Sequence, residues 1–340
     1  MAVTMKDIAR DLHVSVVTVS KVIRNHTDIS EETRQRVLKR IREMNYHPNL
    51  AARALVTGKT YAVGLIVPDL VHPFFAEVAK GLSNSLRRKN YSLLISSSEE
   101  DPRLECQEIE RLLSRGVDGI VVASTQCTVE SFRRIEESRT PYVLIDRCFQ
   151  GLAANYVGVD DVAVGRLATQ HLVSVGCRRI AHVRGPATST ALGRLEGYNQ
   201  ALAANNLGPF TEYVVPARSG DVGTYGSGAE SMSKLLRLNP PPDGVYCYND
   251  PIGIGAIDTI LGAGLRVPED VAVIGCGNLH YDKSLRVPLS SIDQQSATIG
   301  ERAAKLALFL MEAKTPPRPK SIILEARVVA RASTQRKPAS

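Results

Sequence analysis

The chain has no tryptophan, and aromatic residues make up 5% of it. Stacking on a ligand would therefore fall to its six phenylalanines and eleven tyrosines. It lacks any apolar run of membrane-spanning length, and its first residues carry no signal-like apolar segment. Neither insertion nor export is expected. Its six cysteines (Cys106, Cys127, Cys148, Cys177, Cys247, Cys276) show no paired spacing and no accompanying histidine pattern. That excludes a zinc motif or a disulfide framework and predicts reduced thiols in the cytoplasm. Seven histidines are spread without metal spacing. No phosphate loop ending in Lys-Ser/Thr and no Gly-x-Ser-x-Gly elbow is present, and the glycine-rich spots at 223–228 and 253–255 do not follow a strand as a dinucleotide fingerprint would. The acids Asp160, Asp161 and Asp270 have ordinary cap or turn readings. Together these absences predict no enzyme, no cofactor and no metal; a nucleotide-binding type of fold does not by itself assign chemistry.

What the chain does have is charge in one place. Residues 1–60 hold 11 Lys and Arg against 6 Asp and Glu, whereas the other 280 hold 31 against 29. The overall +7 is thus concentrated in the first sixth, the electrostatic footprint of a phosphate-binding surface. The same stretch reads as helix, tight turn, helix, third helix. Thr4 with Asp7 opens the first, to about Leu12; Ser15 caps the second, Val16 to about Ile23; Ser30 opens the third, to about Asn45, with Glu31 and Glu32 in its first turn. Val19, Val22 and Ile23 face inward by helical spacing. The opposite face shows Val16, Val17, Ser20, Lys21 and Arg24. Exposed β-branched residues make sense there if that end enters a major groove, where apolar groups meet thymine methyls and a lysine reaches guanine. Beyond Pro48, a short segment from Leu50 to Val56, closed by Gly58, is too short to be helical alone. It is a candidate switch, with Leu55 as a minor-groove wedge and Arg53 beside it for phosphate or groove contact; a plain linker is the competing reading.

After Lys59 the pattern becomes strand–helix alternation, which argues for parallel sheets covered on both faces. Strands are expected at 62–67, 91–96, 118–123 and 142–145, and helices at 74–89, 103–115 and 129–138. A second series follows: helices at 161–175, 192–204, 225–237 and 251–261, strands at 179–183, 212–216, 244–248 and 271–275. Residues 289–292, a helix at 296–313 and residues 322–329 are expected to return to the first sheet. Two doubly wound lobes in tandem leave a cleft at the C-terminal ends of their strands, where such sheets bind ligands. Polar residues gather at those ends: Asp69, His72, Ser97, Ser98, Ser124, Asp146, Arg147, Arg194, Asp221, Asn249, Asp250, Asn278 and Gln294. Phe74 or Phe75 could offer a face to a sugar ring or simply pack the helix start.

The runs Met5–Ala9, Thr18–Ile23, Asn45–Asn49 and Ala52–Leu55 resemble the head and hinge of the lactose-repressor (LacI) family. Val67-Pro68-Asp69, Ile145-Asp146-Arg147, Gly193–Gly197, Asn249-Asp250 and Gly264–Val271 resemble its effector core, itself similar to periplasmic sugar-binding proteins. The resemblance covers essentially the whole length. It implies that Val16, Val17 and Lys21 read bases, that Ser15, Thr18 and Thr33 contact the DNA backbone, and that Leu55 intercalates; Arg24 stands where relatives often have Asn. It also implies effector contacts at Asp69, Phe74, Ser124, Asp146, Arg147, Arg194, Asn249 and Gln294. Two departures stand out. The family's aromatic-Asp pair is Cys276-Gly277, and an aromatic that stacks on ligand in some relatives is Val222. Asn278, His280, Tyr281 or Asp282 are the compensating candidates.

The expected organisation is a helix-turn-helix domain at 1–47, a hinge helix and linker at 48–60, a core at 61–330, and a frayed tail at 331–340. Within the core, the first lobe is expected to comprise about 61–160 plus 290–330, and the second about 161–289. The expected function is that of a regulator, a repressor by family habit, binding a palindromic operator as a homodimer. A small molecule in the cleft, most simply a carbohydrate, would control it. The alternatives are control by a protein corepressor or by a non-sugar metabolite such as a nucleoside or purine. A transport-type solute-binding protein fits the lobes but not the basic head.

Overall fold

The computed structural model describes residues 3–23, 26–46, 54, 58–126, 129–149, 151–208, 211–217 and 225–336, with the side chains of 130 and 131 excepted. The chain divides into two compact units, Met1–Thr60 and Tyr61–Ser340.

The first unit is helical: α1 (Met5–Asp11), α2 (Val16–Ile23) and α3 (Glu31–Glu43). Thr4 and Asp7 form a reciprocal capping box on α1, and the Ser15 hydroxyl accepts from the Thr18 amide at 3.0 Å to start α2. His13, between them, takes a left-handed φ of 51° that makes the turn tight. Ile8, Ala9, Val19, Val22, Val37 and Tyr46 form one buried cluster, with Ile23 and Ile41 packed at its edge. This is the expected inward face of α2.

The second unit holds two six-stranded sheets. In chain order the elements are β1 (Ala62–Val67), α4 (Pro73–Arg87), β2 (Ser92–Ser97), α5 (Pro102–Ser114), β3 (Gly119–Val122), α6 (Glu130–Glu137), β4 (Tyr142–Ile145) and β5 (Tyr156–Val159). Then come α7 (Asp161–Ser174), β6 (Ile180–Arg184), α8 (Ser189–Ala204), β7 (Val214–Pro216), α9 (Tyr225–Leu235), β8 (Gly244–Cys247), α10 (Asp250–Gly262) and β9 (Ala272–Cys276). The chain closes with β10 (Ser290–Asp293), α11 (Ser296–Glu312), β11 (Ser321–Leu324) and β12 (Arg327–Val329). The first sheet has the order β11-β5-β4-β3-β1-β2 and is parallel throughout. The second is β12-β10-β9-β8-β6-β7, parallel except for its β12 edge. Along β1, Val63, Leu65 and Val67 face the α4–α11 layer while Ile66 faces α5 and α6. Helices on both faces explain why these strands are apolar runs rather than alternating ones.

Four points of the expected organisation are corrected. The strand β5 was not anticipated; it is a four-residue Tyr-Val-Gly-Val run, too short to stand out. Residues 289–292 do not return to the first sheet. Ser290 and Ser291 of β10 are buried, and their partners lie in the second lobe: Ser291 donates to Asp250 at 2.6 Å, and the Ser290 amide to Ser333 at 2.8 Å. The apolar run at 322–329 is two strands, β11 parallel to β5 and β12 antiparallel to β10, so the backbone passes between lobes three times. The stretch from 331 is no frayed tail through Arg336. Ser333 and Thr334 are fully buried; Ser333 donates to the Val273 carbonyl at 2.6 Å, and Arg336 reaches the Asp243 carbonyl at 2.6 Å.

Candidate functional site: a reading face and an interlobe cleft

On the head unit, Val16 and Val17 of α2 are 38% and 63% exposed, although the helix buries Val19 and Val22. An apolar, solvent-facing helix start is what a groove-reading surface needs. Lys21, the one charged residue of α2, extends from the same helix and is ion-paired with Asp28 in the following loop. Ser15 and Thr18 bond each other at 2.8 Å, and the Ser30 hydroxyl donates to Thr33 at 2.9 Å. These three expected backbone contacts, Ser15, Thr18 and Thr33, thus sit at the N-termini of α2 and α3, where amide groups favour phosphate. Arg24, Arg53 and Leu55 lie outside the described residues, as do Asp221 and Val222. Ala54 is helical, and its carbonyl accepts from Gly58 at 2.8 Å, with Gly58 at φ +67°.

In the core, the strand-end loops of both lobes converge on one cleft of about 490 Å³, its solvent mouth included. Asp69, Phe74, Asp146, Arg147, Arg194, Asn249 and Gln294 all line it. Ser124 does not. Its hydroxyl donates to Glu105 of α5 at 2.6 Å, and Glu105, fully buried, also accepts from the Thr125 amide at 2.5 Å and hydroxyl at 2.9 Å. Ser124 therefore serves to fasten the β3 loop to a helix, and it faces a separate groove.

His72, after β1, caps α4: its Nδ1 accepts from the Phe74 amide at 3.3 Å. Its Nε2 lies 3.1 Å from Asn249 Nδ2 of the other lobe, while Asn249 Oδ1 is taken by the Ile252 amide at 3.0 Å. Burial first, then Arg147 and Arg194, drive His72 down to about 4, against an opposing pull from Asp69. A neutral imidazole has only one acceptor nitrogen, so the Phe74 and Asn249 donors compete for it.

Both guanidiniums are already matched with carboxylates. Arg147 makes a two-pronged contact with Glu100 at 2.6 and 2.9 Å and a bond to the Ser124 carbonyl at 3.3 Å. Asp146 beside it adopts a left-handed φ of 60°. That conformation is held by the Tyr156 hydroxyl, which donates to the Asp146 carbonyl at 3.0 Å. Tyr156 can lean there because Gly158 has no Cβ, which would fall 2.0 Å from the phenolic oxygen. Burial raises the Asp146 carboxyl, with both arginines opposing.

Arg194 of α8 donates to Asp161 at 2.9 Å and to the Tyr248 carbonyl at 2.8 Å, and lies 4.6 Å from the Tyr248 ring centre. It reaches them because α7 and α8 cross closely on glycines. A Cβ on Gly165 would be 2.0 Å from the Arg194 carbonyl, and one on Gly197 would be 1.9 Å from that of Val162. Burial pushes Asp161 up to about 6 despite Arg194.

The floor is Cys276, whose thiol donates to Gln294 Oε1 at 3.2 Å and is held neutral, pushed by burial up to about 12. The space behind it is taken by Asp250: a Cβ on Gly275 or Gly277 would lie 2.2 or 2.8 Å from its carboxylate oxygens. The four compensating candidates stay out of the cleft lining. Asn278 bonds Arg331; Asp282 is fully buried and is pushed to about 9 by burial and by Asp250; Tyr281 packs on the first lobe's core, and His280 pairs with Glu77. Among the described residues, two donors at the cleft stay unmatched: Gln294 Nε2 and Arg147 Nε.

Sequence reasoning missed Glu100, Tyr248 and the role of Asp161, and counted His72 among the polar residues at the strand ends without naming it an effector contact. Glu99 and Glu100 both have positive φ, at 49° and 55°, in the turn from which the Glu100 carboxylate meets Arg147. Asp161 looked like a helix start, which it also is.

Two family descriptions match the chain. Residues 4–49 match "Bacterial regulatory proteins, lacI family", and residues 60–325 match "Periplasmic binding proteins and sugar binding domain of LacI family". The HTH-type transcriptional repressor PurR of Mannheimia succiniciproducens is 32% identical over 98% of this chain and 99% of its own. A transcriptional regulator CelR–cellobiose complex superposes with a TM-score of 0.74 at 28% identity, over 97% of this chain and 99% of that one. The lac repressor dimer bound to operator and the anti-inducer ONPF superposes at 0.86 with 23% identity, over 98% and 99%; at that identity the likeness speaks for the fold.

Proposed function

The chain belongs to the LacI family of bacterial regulatory proteins, DNA-binding repressors with an effector-binding domain, and from that premise we propose that it represses a palindromic operator as a cytoplasmic homodimer under control of a neutral, polyhydroxylated effector, most simply a carbohydrate. One head reads only a few base pairs, and two related by a two-fold axis read a palindrome. The first lobe offers an apolar edge for such pairing. Its β2 is an edge strand, and Leu70, Val71 and Ile95 are exposed beside it. No helix among the described residues is long and apolar enough to cross a membrane. No catalytic activity is proposed; both arginines of the cleft are committed to carboxylates.

The observation that carries the effector class is the charge balance of the cleft. Arg147 and Arg194 are committed to Glu100 and Asp161, which leaves Asp69 and Asp146 as further acids. An anionic ligand would meet net negative charge. A hydroxyl, which both donates and accepts, suits Asp69, Asp146 and the unmatched Gln294 amide at once. Its oxygen could also relieve the competition at His72. The perpendicular Phe74 and Phe75 rings, 5.1 Å apart, offer apolar faces to the C–H side of a sugar ring.

The test is thermal unfolding of the full chain against panels of neutral sugars, sugar phosphates, purines and nucleosides. A ligand at 100 times its Kd adds about 2.7 kcal/mol. Stabilisation by a neutral sugar that also changes operator affinity is expected. Stabilisation by purines or sugar phosphates alone would refute the carbohydrate assignment.

A further inference from the structure

The cation expected to read bases is not free. Lys21 is the one charged residue of α2, on the helix whose start exposes Val16 and Val17. Its ammonium is held by the Asp28 carboxylate, seven residues on. Both side chains are solvent-accessible, at 40% and 53%, so the pair is a surface one and contributes little to folding. Placement gives it another significance. Asp28 lies in the loop joining α2 to α3, in a unit whose charge is otherwise basic, next to the surface that must approach a polyanion. A carboxylate there repels every DNA sequence alike, and it also decides where a lysine on a flexible four-carbon stem can go.

We propose that Asp28 is a positioning residue for DNA reading: it tethers the Lys21 ammonium and keeps it from the phosphates, lowering affinity for all DNA and sharpening discrimination at the base pair that Lys21 faces. This rests on the reading of α2 as the recognition helix. A lysine released from its tether has two destinations, a guanine edge, which carries sequence information, and a phosphate oxygen, which carries none. With the tether in place the second is disfavoured by geometry and by the neutralised charge. Specificity gained by penalising the wrong contact is a general device of selective interfaces.

The experiment uses the full-length protein and four forms: wild type, Asp28→Asn, Lys21→Ala and the double variant. An operator is first selected from randomised palindromes with the wild type. Each form is then titrated, across salt concentrations, against that operator, against its single substitutions at every position, and against unrelated duplex. Circular dichroism melting confirms that each form folds. Asp28→Asn is expected to bind unrelated duplex about 5-fold or more tightly and to lose preference at one base pair per half-site. Its salt dependence should steepen by about one phosphate contact per head, roughly 0.9 per head and so about 1.8 in the log–log slope of the dimer. In the Lys21→Ala background, Asp28→Asn should tighten binding evenly, with no further change in preference. If Asp28→Asn keeps wild-type discrimination and slope, or changes affinity equally with and without Lys21, the positioning role is overturned. If the wild type enriches no palindrome at all, the recognition-helix reading fails, and the proposal falls with it.

Discussion

Substituting Arg194 tests the cleft most sharply, because among the described residues its guanidinium is the one cation bonded to Asp161. The side chains of the pair are 4% and 12% exposed, and removing one partner of a buried pair costs on the order of 3–5 kcal/mol. Arg194→Ala should therefore lose about that much at pH 8, beyond any loss of effector response. The penalty should depend on pH. Burial already holds Asp161 up at about 6, with Arg194 pulling against it, so without Arg194 the carboxyl rises further. A group whose folded pKa is raised favours folding below its unfolded value and loses that contribution as pH climbs through the folded value. In the variant, Asp161 picks up its proton above pH 6, where the wild-type carboxyl is still ionised. The deficit relative to wild type should shrink between pH 8 and pH 6 by about 1 kcal/mol for a carboxyl moved by one unit. Below about 6 both forms protonate and the difference levels off. Urea denaturation followed by far-ultraviolet circular dichroism at pH 8 and pH 6, for Arg194→Ala, Asp161→Asn and the double variant, measures this. The double variant should show a flat, smaller deficit. A deficit for Arg194→Ala that is equal at both pH values, or not relieved by Asp161→Asn, would refute the account.

Glu105→Ala strips three hydrogen bonds from buried groups of the β3 loop and should cost about 3 kcal/mol or more in urea denaturation; a loss under 1 kcal/mol would mean that the loop finds other partners. Ser333→Ala removes the donor to Val273 and the acceptor for Ser290 and should lower stability by about 1–3 kcal/mol, whereas a frayed end would show no change. His72→Ala should remove a contribution confined by pH. The folded His72 sits near 4 against 6.5, so the wild-type advantage over the variant should be full above pH 6.5 and fall away as pH drops toward 4. An advantage that grows on acidification would contradict the buried, neutral imidazole.

Much of the architecture was written in local pattern. Helix starts were readable because Thr4, Ser15 and Ser30 supply the side-chain oxygens that end a helix on its N-terminal side. The alternation of apolar strands and amphipathic helices named the doubly wound lobes, because a strand covered on both faces must be apolar along its whole length. The basic first sixth pointed to DNA, because charge is countable without coordinates. The cleft residues at strand ends, from Asp69 to Gln294, were visible as polar groups where a sheet stops. What depended on the tertiary structure was pairing across distance. Which sheet β10, β11 and β12 join depends on partners such as Asp250 and Ser333, far away in the chain. Ser124 turned from the cleft because Glu105, nineteen residues earlier, holds its hydroxyl. Glu100, Asp161 and Tyr248 became site residues only when close helix crossings and left-handed turns brought them to two arginines. Composition and periodicity report what each residue prefers locally; which charge neutralises which is decided by the packing that carries distant segments into contact.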